Sequence, residues 1–386
     1  MIFHAEKLDE KELSVLERVD ALRRELGYIH KTPQRWYGLL RRNTFAKAIQ
    51  GSNSIEGYVV TAEDAIAAVQ GAEPSVDPRT EAWQAVSGYQ EAMTYVLQKA
   101  EDAFFVYSAE LLKALHYMMV KHDLARNPGR WRPGTIYVRR EPIGEIVYEG
   151  PEAALVPGLV EELIESLKAE ESAEEHVIVR AAIAHLNLVM IHPFSDGNGR
   201  MGRCLQTLIL ARNGVTAPLF SSIEEYLGHN TEEYYRVLGI VGGGAWHPER
   251  DVKPWIRFCL TAHYRQATTL LRRTRTMQRV WEEAELLTRR LILPERCIPA
   301  VADATLGLTV TNAIYRRTAE VSEVVARNDL SKLSKRGLLD AKGEKRGRYY
   351  VASETLKEIG KRVSEKKRVP DPFEEDAIAH PKPITT

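Results

Sequence analysis

Apolar residues recur at intervals of three and four along most of the chain, which is the spacing of helices with one buried face. The first such face consists of Leu13, Leu16, Val19, Leu22 and Leu26. The same spacing predicts further helices near residues 80–100, 108–121, 152–170, 231–241 and 251–275. The sequence therefore predicts an all-α fold.

Two helix starts carry capping residues. Thr32 precedes Pro33, an N-cap residue followed by a proline in the first turn, so a helix is expected to begin there. Thr61 and Asp64 form a pair that resembles a capping box, because a side chain three residues after the cap can bond back to it. This pair predicts a helix from residue 62 to residue 70.

The densest group of polar side chains directly follows a long apolar segment. Residues 177–191 are apolar nearly all round, which predicts a helix buried in the middle of a domain. Pro193 ends that helix, so His192 is held at its end. Residues 192–200 read His-Pro-Phe-Ser-Asp-Gly-Asn-Gly-Arg, and Arg203 follows one turn later.

This segment has the composition of a phosphate site. Gly197 and Gly199 permit backbone angles that turn successive N–H groups toward one concave surface. Residues 200–210 read as a helix, and the N-terminus of a helix favours phosphate. Arg200 and Arg203 share a face of that helix and could reach the same polyphosphate.

Two further residues indicate the chemistry. Asp196 is a hard oxygen donor, and one carboxylate with phosphate oxygens and water is a common way to hold Mg²⁺. His192 has a reference pKa of about 6.5 and is available as a neutral base. These residues predict metal-assisted transfer of a nucleotide or phosphoryl group to a hydroxyl. A transition-metal site of His185, His192 and Asp196 is less favoured, since HExxH and a Cys/His cluster are missing from the sequence.

The segment from His192 to Arg203 resembles the signature of the Fic family, HPFx(D/E)GNGRxxR, and matches each of its fixed positions. The resemblance implies that His192 is the base for a Ser, Thr or Tyr hydroxyl of a protein, and that the donor is ATP, which transfers AMP and releases pyrophosphate. It implies a Mg²⁺ ligand at Asp196, with Mn²⁺ as a substitute, and phosphate contacts from Gly197, Asn198, Gly199, Arg200 and Arg203.

Residues 52–57, Ser-Asn-Ser-Ile-Glu-Gly, resemble the inhibitory motif of the same family, (S/T)xxxE(G/N). If this segment is helical, Ser52 and Glu56 lie on one face, and Gly57 ends the turn. The resemblance implies that Glu56 pairs with Arg203 and occupies the space that the γ-phosphate of ATP needs. We expect autoinhibition; the alternative is an ordinary helix end with a solvated carboxylate.

Other parts of the resemblance concern the substrates. Short β-rich runs at residues 135–138 and 145–148 flank 141–144 and predict a β-hairpin. In the family such a hairpin is a flap that aligns the target backbone by strand addition, whereas the alternative is a surface hairpin without a role. The adenine pocket of similar proteins is lined at positions that correspond here to Asn230, Tyr234 and Tyr235.

From about residue 285 the pattern changes. Helix-like segments near 308–317 and 322–336, followed by a basic turn at 342–348, resemble a winged helix. Its cations could bind the DNA backbone, or the module could pack on another protein or form a homodimer. The cations in or near the second helix and in the turn are Arg327, Lys332, Lys335, Arg336, Lys345, Arg346 and Arg348.

Length and charge limit the possible domain division, partners and location of the protein. We divide the 386 residues into an N-terminal helical region (1–105), a catalytic core (106–280), a winged-helix-like domain (285–355) and a charged, proline-rich tail (362–386) expected to be disordered. The 53 basic and 53 acidic residues balance, so a nucleic-acid surface must be local. Three cysteines without CxxC spacing, no signal-peptide core and no long apolar run predict a cytoplasmic protein without a membrane partner.

Two functions follow from these observations. One is a protein adenylyltransferase that Glu56 inhibits, with ATP, a hydroxyl-bearing target protein and the chain itself as substrates. The other is a DNA-binding regulator whose Fic domain senses a nucleotide. The intact His192 favours the enzyme, because sensing does not need a base. Another nucleotide donor, or the removal of AMP, stays open.

Overall fold

The computed structural model describes residues 1–31, 34–140, 144–170, 175–214, 222–344, 347–364 and 369–374. In these ranges the chain is mainly helical, with two small antiparallel sheets, which confirms the all-α prediction. The helix start expected at Thr32 and Pro33, the middle of the hairpin turn (141–143) and two cations of the basic turn (345–346) lie outside the described residues. Within the described ranges, no helix is long and apolar enough to cross a membrane.

Five helices precede the candidate site along the chain: α1 (Glu10–Lys31), α2 (Tyr37–Ile55), α3 (Ala62–Gln70), α4 (Glu81–Ala100) and α5 (Ala109–Val120). The start of α3 is the one that the capping pair predicts, because the Thr61 hydroxyl accepts a bond from the Asp64 N–H at 3.0 Å. Helix α2 carries the segment that resembles an inhibitory motif, and Glu56 directly follows its last residue.

A hairpin and further helices build the described part of the middle of the chain. The hairpin pairs β1 (Tyr137–Arg140) with β2 (Glu145–Glu149), as predicted, with a register shift between Val138 and Arg139. The helices are α6 (Val156–Glu170), α7 (Val177–Ile191), α8 (Asn198–Arg212), α9 (Glu224–His229), α10 (Thr231–Gly242) and α11 (Lys253–Arg290). Helix α7 has the predicted bounds and is buried on nearly all sides, and it packs against α6, α8 and α11.

The predicted end of the helix near residue 275 is wrong, because α11 continues to Arg290. Its second half keeps a narrow stripe of buried residues at helical spacing, Met277, Val280, Trp281 and Ala284, among charged neighbours. The stripe packs into a second hydrophobic core, whereas the first half of α11 packs into the core that surrounds α7. One helix therefore contributes to both cores.

The C-terminal module consists of α12 (Ile298–Thr305), β3 (Val310–Thr311), α13 (Asn312–Ala319), α14 (Glu323–Lys335), β4 (Leu339–Lys342), β5 (Tyr349–Ala352) and α15 (Glu354–Val363). Its sheet has the strand order β3-β5-β4, and both pairs are antiparallel. The winged helix itself stays a prediction for this module. Beyond α15, Phe373 packs against the first core and Asp371 pairs with Arg265 at 3.4 Å, so residues 369–374 of the predicted tail contact the body of the protein.

Candidate active site

His192 is the C-cap of α7 and has left-handed backbone angles, φ 51° and ψ 57°. Its N–H still bonds to the Leu188 carbonyl at 3.1 Å, and the following proline prevents another helical turn. The ring Nδ1 lies 3.0 Å from the Val189 carbonyl, which can only accept, so Nδ1 carries the proton and Nε2 has the free lone pair. Burial lowers the pKa of His192, which keeps the ring neutral at neutral pH.

Arg132, a residue that sequence reasoning missed, holds this turn in place. Its Nε donates to the His192 carbonyl at 2.8 Å, and its own N–H donates to the Pro193 carbonyl at 2.9 Å. Two further bonds run from its guanidinium to the carbonyls of Gly134 and Pro151. Arg132 therefore ties the ends of the hairpin region to the backbone of the predicted base.

The glycine-rich turn leads directly into α8. Gly197 has a left-handed φ of 77° and is the N-cap, and the first bond of the helix runs from the Met201 N–H to the Gly197 carbonyl at 2.9 Å. The N–H groups of residues 198–200 therefore precede the hydrogen-bond ladder of the helix, as in an anion site. The Asn198 side chain stabilises the loop instead. Its Oδ1 accepts the Phe194 N–H and its Nδ2 donates to the Phe194 carbonyl, each at 2.9 Å.

Arg200 and Arg203 are both almost fully buried at the start of α8. Arg200 contacts Asp196 at 3.4 Å through Nη2, but its Nε and Nη1 find no acceptor in the described part of the chain. Nη1 of Arg203 likewise has no acceptor in the described part of the chain. Since buried donors are nearly always paired in proteins, these three N–H groups favour an anionic ligand.

Glu56 is bonded to Arg203, as expected from the sequence. Nη2 of Arg203 donates to Oε1 of Glu56 at 2.7 Å and to the Ser52 carbonyl at 2.9 Å, and Nε donates to the Ser52 hydroxyl at 2.7 Å. Burial opposes the charge of Arg203, but Glu56 together with Tyr234 and Tyr89 outweighs it and raises the pKa of Arg203. A Cβ atom on Gly199 would lie 2.4 Å from Oε1 of Glu56, so the carboxylate sits directly on the glycine-rich turn.

Asp196 contacts Arg200, and Arg126 also binds it through Nη1. Burial alone would raise the pKa of Asp196, but Arg200 and Arg126 outweigh it and lower the pKa. The carboxylate is therefore ionised and fits a Mg²⁺ ligand by its chemistry. In the described ranges no cluster of three or more His, Cys, Asp or Glu could hold a metal, so the other ligands of an ion here would be phosphate oxygens and water.

His116 on α5 is a second residue that sequence reasoning missed. Its ring is stacked on Phe194, with centroids 3.8 Å apart and planes 8° apart. Nδ1 accepts the Gly129 N–H at 2.9 Å, so Nε2 is protonated and donates to the Asp196 carbonyl at 3.1 Å. Burial lowers the pKa of His116 to about 4, and the neutral ring thereby supports the site loop.

The three residues expected to line an adenine pocket have different surroundings. Tyr234 is 1% exposed, lies in the core, and its hydroxyl is 3.1 Å from Nε2 of His185. Tyr235 is 45% exposed, and its hydroxyl donates to the Ile55 carbonyl at 3.4 Å, next to Glu56. Asn230 bonds back to the Tyr226 carbonyl at 2.7 Å. Tyr235 alone of the three combines exposure with a contact to the inhibitory segment.

The hairpin is anchored beside the predicted base. The Tyr148 hydroxyl on β2 donates to the Met190 carbonyl at 2.8 Å, two residues before His192, and the Glu149 N–H donates to the Gly244 carbonyl at 2.9 Å. The first bond fixes one strand of the two-stranded sheet against the end of α7, and the second fixes it to the turn that follows α10. The sheet therefore presents a strand edge close to the catalytic segment, which strand addition of a peptide requires.

Comparisons of the sequence with known proteins identify similar proteins. Residues 106–210 match the Fic/DOC family. The chain is 29% identical over 263 residues to the protein adenylyltransferase Fic of Drosophila melanogaster, an alignment that covers 66% of this chain and 46% of that protein. The corresponding protein of Culex quinquefasciatus is 29% identical over 264 residues, with 66% and 46% covered. The chain thus spans about half the length of the curated relatives it matches.

Solved structures show the same fold. A Fic family protein from Desulfovibrio desulfuricans G20 superposes with a TM-score of 0.57 at 22% identity, and the match covers 91% of this chain and 99% of that one. A Fic domain containing signaling protein from Bacteroides thetaiotaomicron gives a TM-score of 0.53 at 18% identity, with 69% and 97% covered.

Proposed function

We propose, from the match of residues 106–210 to the Fic/DOC family, that this chain is a protein adenylyltransferase. It would transfer AMP from ATP to a Ser, Thr or Tyr hydroxyl of a protein. The observation that carries the proposal is the neutral His192, whose Nε2 lone pair is free beside buried arginine donors that have no acceptor in the described ranges. A base and an unsatisfied anion site in one place are what transfer from a nucleoside triphosphate requires.

In the proposed reaction, Nε2 of His192 takes the proton of the target hydroxyl as its oxygen attacks the α-phosphorus. The bond between that phosphorus and the bridging oxygen of pyrophosphate breaks, and pyrophosphate leaves. The N–H groups that begin α8, together with Arg200 and Arg203, hold the phosphate oxygens. Asp196 would hold Mg²⁺, which when bound would neutralise phosphate charge. The target backbone would add to the edge of the β1–β2 hairpin.

We further propose that Glu56 inhibits this reaction. Nη2 of Arg203, a donor that a γ-phosphate would need, is already bonded to Glu56 and to the Ser52 carbonyl. The Glu56 carboxylate also lies against Gly199, where phosphate would approach the N–H groups of α8. A second anion in this place would be repelled, because two like charges would share one arginine.

The test is the intact mass of purified Glu56→Gly protein after incubation with Mg²⁺ and ATP. We expect a gain of one or more AMP groups, and no gain in Glu56→Gly/His192→Ala. Glu73→Gly is the matched control, since Glu73 is exposed and lies outside the helices. This control variant should gain AMP as slowly as the wild type.

Two results would contradict the proposal. Labelling of the double variant at the rate of Glu56→Gly would remove His192 as the base. Equal labelling of wild type and Glu56→Gly would remove Glu56 as the inhibitor. If neither variant gains mass while binding ATP, repeating the incubation with GTP, CTP and UTP identifies another donor, and no gain with any of the four overturns the transferase.

A further inference from the structure

A basic surface on the C-terminal module is unrelated to the proposed reaction. Residues 323–348 contain eight Lys or Arg and four Asp or Glu, in a chain whose charges balance overall. The cations of this segment that the structure describes are all exposed, and we call them the C-terminal basic face: Arg327, Lys332, Lys335, Arg336, Lys342 and Arg348.

The inner side of α14 packs against the protein, and its outer side is exposed to solvent. Asp329 is 1% exposed, and its carboxylate accepts bonds from Arg296 at 2.7 Å and from the Tyr315 hydroxyl at 3.0 Å. Leu330 and Leu333 pack into the second core on the same side. One of the four acidic residues is therefore neutralised inside the protein, and the exposed side of the helix is more basic than the sequence alone indicates.

The strands next to α14 extend this surface. Strands β4 and β5 form a hairpin, and Lys342 and Arg348 lie at its two sides where it turns. The turn is tight, because Gly343 has a φ of 67° and a Cβ atom there would lie 2.4 Å from the Gly347 carbonyl oxygen. Glycine is thus required for the two basic sides of the hairpin to approach each other.

We propose that the C-terminal basic face binds double-stranded DNA, with the exposed side of α14 in the major groove and the hairpin cations on the phosphate backbone. An α-helix fits the width of the major groove, and Arg327 with the neighbouring exposed Asn328 supplies side chains that can reach base edges. Exposed Lys and Arg side chains bind phosphates with release of counterions. This binding goes beyond the proposed transferase and does not depend on it.

The test uses the full chain and a fluorescent DNA duplex of about 30 base pairs and arbitrary sequence, with anisotropy measured over a range of salt concentrations. We expect affinity to fall as salt rises. Replacing Arg327, Lys332 and Arg336 by Ala should lower the log–log salt slope by up to about 3, or about 1 for each phosphate that is no longer neutralised. The matched control replaces three exposed cations near the N-terminus, Lys7, Lys11 and Arg24, by Ala.

Equal salt slopes for the basic-face variant and the control would overturn the proposal, as would no binding by the wild type at low salt. Self-association in sedimentation that only the basic-face variant loses, without DNA binding, would assign this surface to a second copy of the chain instead.

A separate set of contacts concerns Asp196, and the inference from it rests on the proposed function, which makes this carboxylate the metal ligand. Arg126 lies in a short 3-10 turn, and its Nη1 donates to both Asp196 and the Tyr58 hydroxyl. Its Nε donates to Asp123 at 2.8 Å. The Tyr58 ring lies under the guanidinium of Arg200, with the carbon 5.1 Å from the ring centroid.

Tyr58 follows Glu56 by two residues, so one short segment contacts both of the buried arginines of α8. Glu56 binds Arg203, and Tyr58 covers Arg200 and holds Arg126 on Asp196. We infer that Tyr58 and Arg126 form a second inhibitory latch that withholds the Asp196 carboxylate from a divalent cation. A metal ion would compete with Arg126 for the Asp196 carboxylate, because Oδ2 already accepts from Arg126 and the two cations would repel each other.

The test is binding of Mn²⁺ to the full chain in the presence of ADP, followed by electron paramagnetic resonance. Arg126→Ala should bind Mn²⁺ more tightly than wild type by about fivefold, which is the value of one partly exposed ion pair. Tyr58→Phe should also bind Mn²⁺ more tightly, but by a smaller factor, because it removes only a hydrogen bond to Arg126. Arg130→Ala is the matched control, since Arg130 is exposed in the same loop. Adding Asp196→Ala to either latch variant should abolish the increase in Mn²⁺ affinity.

Unchanged or weaker Mn²⁺ binding in both latch variants would overturn the latch. Because this signal does not require AMP transfer, a chain that gains no mass with any of the four nucleoside triphosphates but binds Mn²⁺ more tightly in these variants would disprove the transferase. It would keep Arg126 as the residue that withholds Asp196 from the cation.

Discussion

The His192 turn shows how the backbone determines the chemistry of one residue. A left-handed C-cap before proline points the ring back onto its own helix, where the Val189 carbonyl fixes the proton on Nδ1. Arg132 then holds the carbonyl of the same residue. The tautomer and orientation of the base are therefore set before a substrate binds, which is the preorganisation that catalysis requires.

The lowered pKa of His192 predicts the pH dependence of AMP transfer by Glu56→Gly. Burial disfavours the imidazolium, so the neutral base should persist below pH 6.5, and the rate should fall only at a lower pH. The measurement is the initial rate of mass gain between about pH 5 and 8 at saturating ATP and Mg²⁺. A rate that is half-maximal at or above pH 6.5 would contradict this assignment of the base.

The residues that sequence reasoning identified and those it missed differ in where their partners lie. Each predicted residue of the catalytic motif has neighbours within twelve positions, so local spacing was sufficient to find it. His116, Arg126 and Tyr58 reach the same site from 70 to 138 positions away, as the separations from Asp196 show. Their sequence surroundings contain no recognisable pattern, because only tertiary packing brings them to the loop.

At the scale of elements, the position of Glu56 depends on the close crossing of α2 and α9. A Cβ atom on Gly51 would lie 2.6 Å from the Glu224 carbonyl oxygen, and one on Gly228 would lie 2.7 Å from the Gly51 Cα. Both neighbours are backbone atoms, so they cannot rotate away. The two glycines thus let helix α2 approach α9 closely and define where its last turn meets Arg203.

Gly51→Ala should therefore destabilise the protein by about 1–3 kcal/mol, the usual cost of an extra methyl group in a packed contact. Gly38→Ala, on the same helix, is the control: a Cβ atom there has nothing within 4 Å, and Ala should stabilise the helix by about 0.5–1 kcal/mol. Urea unfolding of both variants measures the difference. A Gly51→Ala protein as stable as Gly38→Ala would show that the crossing can relax.

Element boundaries were predictable where a local signal ends or starts a helix. The Thr61 cap and Pro193 predict the start of α3 and the end of α7, since both act within a turn of their own position. The length of α11 was not predictable in the same way, because its second half has only a narrow apolar stripe whose partner is the C-terminal module. The crossing of α2 with α9 leaves no sequence pattern either, as an isolated glycine in a helix has several explanations.

At the scale of the whole molecule, helices α1, α2, α11 and α13 each contribute buried residues to both hydrophobic cores. Residues from the two ends of α1, α2 and α11 are divided between the core around α7 and the core of the C-terminal module. A buried ion pair strengthens the connection: Nη2 of Arg42 on α2 lies 2.6 Å from Oδ1 of Asp303 on α12. The helix that ends next to Glu56 is therefore bonded to the module that carries the C-terminal basic face.

Removing one partner of this pair tests how strongly the two parts are joined. Asp303→Ala leaves the Arg42 charge buried without its carboxylate and should cost about 3–5 kcal/mol in urea unfolding. Arg42→Met/Asp303→Leu should recover most of this loss, because two apolar side chains of similar volume need no ionic partner. Asp77→Ala is the control, since its partner Arg79 is 87% exposed and such pairs contribute less than about 1 kcal/mol. An Asp303→Ala variant that loses no more than the control would mean that water or another acceptor replaces the carboxylate, and that packing of the shared helices alone joins the inhibitory segment to the C-terminal module.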